Sequence, residues 1–281
     1  MGHVTDPRRE RLAESEHMAT ETFQVSAEQA ETYEERFVPA LFRQWVEPVL
    51  QAAAVGPGDK MLDVACGTGV VARAAAERVA PDGTVTGIDL NPVMLAVARR
   101  IAPEIDWREG DAGALPFGRD AFDVVACQSA IFFFPDPTGA LGEMGRVTRP
   151  GGRVAVQAFS SLSMQPAYGP WVDMVAQHAG PDALTLLGTY WTHGDHEIMR
   201  GRCADAGLRV TAVHEHTRPA YFQNIQAMVL TEVNASPLRD RLEPAVLDKI
   251  LIGSHEVLEP FVRDGRLIVP LAGYVLVASP T

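Results

Sequence analysis

The chain has 281 residues with 24 Lys and Arg against 36 Asp and Glu, a formal charge of −12 at pH 7 that disfavours attraction to nucleic acid. An apolar fraction of 47% with 21% charged residues excludes disorder for most of the chain. The 3 cysteines, Cys66, Cys127 and Cys203, form no CxxC pair, and no apolar run approaches the roughly 20 residues of a membrane span, so a soluble, cytoplasmic, metal-independent protein is expected.

Residues 1–25 show no sustained period and are expected to form a mobile arm. Ser26-Ala27-Glu28-Gln29 has the form of a capping box and opens a helical cap over residues 26–58. Ala30, Tyr33 and Phe37 follow at helical spacing until Pro39, which is expected to interrupt the helix. A second stripe carries Leu41, Trp45, Val49 and Ala53, with a bend expected at Pro48.

Residues 59–160 alternate between strand and helix patterns, with strands predicted at 61–65, 84–88, 105–109, 122–127 and 153–158. Val71, Ala75 and Val79 mark the first intervening helix. Asn91 caps the next, with Pro92 at its first position and Met94, Ala98 and Ile101 expected inward. Asp136-Pro137 opens another. The rhythm breaks over 161–193, an aromatic stretch read as a lid insertion. Within 194–281, Asp195 caps a helix, strands are predicted at 208–214 and 267–278, and a helical insertion lies at about 222–264. The pattern predicts an α/β fold: a doubly wound, mostly parallel seven-stranded sheet with helices on both faces and a helical cap and lid.

In such a sheet the ligand sits beyond the carboxyl ends of the strands, where the strand order reverses. The turn after the first strand is Ala65-Cys66-Gly67-Thr68-Gly69, whose glycines let the backbone bend tightly against a ligand. With Ala72 and Asp89 it also satisfies a loose dinucleotide fingerprint, so an NAD-dependent oxidoreductase stays open at this point. Asp63 lies inside the first apolar strand. A buried charge there is costly unless it orders the loop or meets a cationic ligand.

The ordered motifs resemble those of class I S-adenosylmethionine-dependent methyltransferases, in the small-molecule group similar to the ubiquinone and menaquinone methyltransferases. The resemblance is carried by LDVACGTG at 62–69, Gly87-Ile88-Asp89-Leu90-Asn91 with Met94, Glu109-Gly110-Asp111-Ala112 with Leu115-Pro116-Phe117, and Arg146-Val147-Thr148-Arg149-Pro150-Gly151-Gly152. It implies a Rossmann-like fold, S-adenosyl-L-methionine as cofactor and a transferase of the EC 2.1.1 class. It also implies roles for individual residues: Asp89 on the ribose hydroxyls, Asp111 on the adenine amino group, and the Ala112 N–H on an adenine nitrogen. Leu90 and Met94 would cover the ring faces. Asp63, Ala65, Gly67, Thr68, Gly69, Gly110 and Gln128 complete the expected cofactor site, with Tyr33 closing over it from the cap.

Methyl transfer from a sulfonium is an in-line displacement that profits from exclusion of water and from alignment of the acceptor. A base assists an acidic acceptor, and among the histidines His193 is the candidate because its helix begins above the strand ends. Phe37, Phe133, Trp171, Tyr190 and Trp191 are expected to line an apolar acceptor pocket. The expected reaction is O- or C-methylation of a quinone, a polyketide-like aromatic or a lipid. A non-methylating, pericyclase-like protein that binds the same cofactor is the further alternative. An oxidoreductase fits less well, because Lys60 and Lys249 are the chain's 2 lysines and neither follows a tyrosine by four positions.

Overall fold

The computed structural model describes residues 26–234 and 238–281; the expected arm at 1–25 lies outside them. Five strands, β1 (Lys60–Val64), β2 (Thr84–Asp89), β3 (Asp106–Glu109), β4 (Phe122–Gln128) and β5 (Thr148–Phe159), alternate with helices. They are followed by β6 (Leu208–Phe222), the short β7 (Val262–Arg263) and β8 (Arg266–Pro280). The sheet order is β3-β2-β1-β4-β5-β8-β6, with β7 paired to β8. β1 to β5 are mutually parallel, whereas β8 runs antiparallel to both β5 and β6. This is the expected α/β, doubly wound, Rossmann-like sheet, to which β7 adds a minor eighth strand. Strand order reverses between β1 and β4, so a ligand crevice opens above their carboxyl ends.

Both faces of the sheet are buried, which explains the near-continuous Val and Ala content of its central strands. On one face Val124, Ala126 and Val275 pack with Leu50, Val71 and Leu95 from helices Arg43–Ala52, Val70–Val79 and Pro92–Ile101. On the other, Val125, Cys127 and Val156 pack with Leu141 and Met144 of helix Pro137–Val147. Each such fully buried Leu or Val contributes about 1.5–3 kcal/mol relative to an exposed one. Among the described residues no helix is long and apolar enough to cross a membrane.

Several elements differ from expectation. Pro39 does not interrupt the cap: helix Ala27–Thr32 passes into a wider π-helical stretch, Tyr33–Phe42, and then into Arg43–Ala52. Proline offers no N–H, and the wider spacing carries the chain past its ring, while Gln44 Nε2 donates to the Pro39 and Ala40 carbonyls at 2.8 and 2.9 Å. In helix Pro92–Ile101 the buried residues are Leu95, Val97 and Ala98, and Ile101 stands 38% exposed. β5 begins at Thr148 because a register shift between Phe122 and Val124 of β4, with Gly151 at φ 76°, accommodates the residues before Arg153.

β6 continues to Phe222 and pairs with β8 along its whole length, down to Phe222 opposite Leu267. Its polar outer half and Pro219 hide this in the sequence, but β6 is an edge strand, and Pro219 faces Pro270 where neither ring needs a ladder hydrogen bond. Phe159, the last residue of β5, pairs with Gly273, so the β6–β8 ribbon overhangs the carboxyl edge of the sheet. Gln165 fixes that overhang: it donates to the Ser160 and Ala272 carbonyls and accepts from the Ala272 N–H, each at 2.9 Å.

Candidate active site

The turn above β1 is built by carboxylates that accept backbone N–H groups. Asp63, 1% exposed, accepts from the Ala72 N–H at 3.0 Å and so anchors the first turn of helix Val70–Val79. The positive end of that helix and this bond partly offset the cost of burial. Burial still dominates and pushes the Asp63 carboxyl up to about 7. Asp89, at the end of β2, accepts from Gly67 N–H at 2.7 Å and from Asn91 N–H at 2.9 Å, one bond per oxygen. Burial raises its pKa, and these two bonds oppose the shift. Both acids therefore hold the loop in place, and Asp89 retains lone pairs on each oxygen for a further donor.

Ala65, Gly67 and Gly69 all adopt left-handed backbone, with φ of 54°, 55° and 88°. The two glycines earn their positions differently. A β-carbon on Gly67 would lie 3.7 Å from the Tyr33 ring, whereas one on Gly69 would lie 2.2 Å from Trp107 Cη2. Gly69 thus makes room for a buried tryptophan of β3 as well as for the turn. Thr68 is buried: its hydroxyl donates to Glu34 Oε2 at 2.5 Å, and Glu34 also pairs with Arg73 at 2.7 Å. This latch ties the cap to the glycine turn.

Tyr33 stands over Gly67 and stacks on Phe42 at 5.3 Å and on Phe37 at 6.0 Å. Leu90 is 48% exposed beside Asp89, and Met94 is half-buried in the first turn of its helix. Gly110 donates to the Asp89 carbonyl at 3.0 Å. Asp111 is exposed and closes a local turn by accepting from Gly113 N–H at 2.8 Å, beside the buried Ala112. Gln128, ending β4, donates from Nε2 to the Phe42 carbonyl at 3.0 Å, while its Oε1 is buried without a partner among the described residues. The loop after β3 is clamped from below: Arg146 donates to the Leu115 and Phe117 carbonyls, and Glu143 accepts from Leu115 N–H.

A second group of side chains forms an aromatic wall. Tyr190 lies 5.2 Å from Phe132, 6.0 Å from Phe133 and 6.4 Å from both Phe159 and Trp191. Tyr33 and Tyr190 pack against the same hydrophobic core, which holds Phe42, Phe132, Phe159 and Trp191, so the wall and the capped turn share it. Among the described residues Trp171 meets the wall only through Tyr168, whose ring lies 6.1 Å from it, and is buried in the lid with its Nε1 donating to Ser254 Oγ at 3.0 Å. His193 hydrogen-bonds to Thr192 at 3.0 Å, and burial followed by the Arg202 charge lowers its pKa to about 4. No ring or hydrogen-bond contact joins it to the aromatic wall among the described residues.

Sequence reasoning missed Glu34, Trp107, Phe159, Tyr168 and Glu232. Glu232 had a signal, as the one charged side chain in the apolar helix Ile225–Asn234.

Comparison with known proteins decides between the two cofactor readings. The methyltransferase-domain family matches residues 62–156. A ubiquinone/menaquinone biosynthesis C-methyltransferase of Bordetella parapertussis is 32% identical over 229 residues, covering 73% of this chain and 89% of the relative. The chain belongs to the class I S-adenosylmethionine-dependent methyltransferases. S-Adenosylmethionine is accordingly its cofactor. A methyltransferase from Aquifex aeolicus shares the fold at TM-score 0.52 and 19% identity, over 68% of this chain and 92% of that one. The [4+2]-cyclase SpnF does so at TM-score 0.54 and 21% identity, over 85% and 81%. At these identities both likenesses concern the fold alone.

Proposed function

We propose that this methyltransferase transfers a methyl group to oxygen or carbon of a small, largely apolar acceptor, such as a quinone, a polyketide-like aromatic or a lipid. The observation that carries the reading is the wall of Phe132, Phe133, Phe159, Tyr190 and Trp191 beside Tyr33, which suits a flat apolar ligand. The Bordetella relative, named for quinone biosynthesis, supports it.

The residues present fit the cofactor. The buried, unpartnered Oε1 of Gln128 suits an ammonium donor on the methionine side. Asp89 takes the ribose hydroxyls with its remaining lone pairs, the exposed Leu90 and the half-buried Met94 flank the adenine, and Asp111 with the Ala112 N–H reads its edge. Ala65, Gly67 and Gly69 supply the turn, and Tyr33 covers it. S-Adenosylmethionine, when bound, supplies a methyl group on a sulfonium. The cap at 26–58 and the lid at 161–193, with the insertion at 222–264, keep water out and hold the acceptor in line over the core at 59–160.

The test is transfer of labelled methyl from S-adenosylmethionine to matched hydroxylated naphthoquinols, phenols and polar amines. Label is expected in the flat apolar hydroxy compounds. Transfer confined to polar amines overturns the reading.

A further inference from the structure

The helical insertion holds an acid that the fold does not need as an acid. Glu232 is 5% exposed on helix Ile225–Asn234, and its Oε1 accepts from the Tyr168 hydroxyl at 2.7 Å. No arginine, lysine or histidine pairs with it, and its Oε2 accepts no hydrogen bond, among the described residues. A glutamine would accept the Tyr168 bond equally well without the cost of burying a charge.

The carboxyl reaches the aromatic wall through Tyr168. The Tyr168 ring is 5.2 Å from Trp191, and the Glu232 charge contributes to raising the Tyr190 phenol. The titratable groups facing it are thus Tyr168 and Tyr190, both neutral phenols in the ordinary range because burial raises them. Burial without a cation pushes Glu232 up to about 7, where a carboxylate accepts a proton readily at neutral pH.

We propose that Glu232 is the general base of the acceptor site and that the acceptor is a neutral phenol or enol; this rests on the apolar-chamber reading above. The acceptor O–H proton passes to Glu232 Oε2, and the oxygen lone pair forms the bond to the methyl carbon. The carbon–sulfur bond breaks with its pair retained on sulfur, so the positive charge is discharged. Glu232 then returns its proton to water, and Tyr168 holds the carboxyl in place throughout.

The test uses the full chain and calorimetric binding of 1-naphthol, which stays neutral between about pH 5.5 and about pH 8.5, with naphthalene as its hydroxyl-free partner. Wild type is expected to bind 1-naphthol about tenfold tighter at the upper pH, as ionised Glu232 gains a charge-assisted hydrogen bond. Glu232→Gln is expected to bind it with no pH step. In Tyr168→Phe the step should move to higher pH, because the lost bond no longer lowers the Glu232 pKa. Naphthalene should bind all three proteins equally at every pH. Naphthalene binding without a 1-naphthol step in wild type overturns the base assignment alone. Failure of naphthalene to bind overturns the chamber reading beneath it.

Discussion

The cofactor half and the acceptor half of the site are held by different forces. Around β1 and β2, two buried carboxylates accept main-chain N–H groups, from Ala72 to Asp63 and from Gly67 and Asn91 to Asp89, so the loop geometry is set by short local segments. Around the lid, rings from three segments, 132–133, 159 and 190–191, meet at Tyr190, and among the described residues the carboxyl of the buried acid Glu232 is bonded only through a side chain, Tyr168. A site fixed by backbone bonds tolerates little change in residue type. One fixed by ring packing can change its ligand while keeping its walls.

That contrast can be broken first at Asp89. Asp89→Ala removes both the anchor of Gly67 and the carboxylate proposed for the ribose, and is expected to weaken S-adenosylhomocysteine binding about 100-fold, on the order of 3 kcal/mol, by calorimetry. Unchanged affinity would remove Asp89 from the cofactor site.

Asp63 sharpens the comparison through pH. Its folded-state pKa of about 7 lies above its ordinary value, so the folded protein binds an extra proton in between. That contribution to stability is full below the unfolded pKa and is lost as pH rises towards about 7. Asp63→Asn should therefore flatten part of the fall in urea-unfolding stability between about pH 4 and about pH 7, by up to about 1.4 kcal/mol per pH unit. An unaltered slope would contradict the buried acid.

The smallest effect is expected at His193, whose imidazole is turned to Thr192 and is neutral at pH 7. His193→Ala should lower the methylation rate by less than about tenfold, below the range of a general base. A larger loss, together with a lost pH step in kcat/KM, would return the base to His193 and away from Glu232.

The same division governs what the sequence discloses. The strand and helix alternation, the caps at Ser26, Asn91, Asp136 and Asp195, and the turn at 65–69 are local patterns, and each is visible in neighbouring residues. The long β6 was hidden because its outer half is polar and contains Pro219, and its pairing with β8 joins residues far apart in the chain. Likewise nothing near Gly69 announces Trp107, and nothing near Tyr168 announces Glu232. The spacing at Asp111 suits either an adenine contact or a local turn, and the structure displays the turn.

Tyr190→Ala tests the separation of the two halves most directly, with S-adenosylhomocysteine affinity and acceptor kcat/KM measured on the same preparation. The expected result is cofactor binding within about twofold of wild type and kcat/KM lowered by about tenfold or more, through loss of the ring that joins Phe132, Phe133, Phe159 and Trp191. Cofactor affinity that falls in step with kcat/KM, or an acceptor rate that does not change, would contradict it.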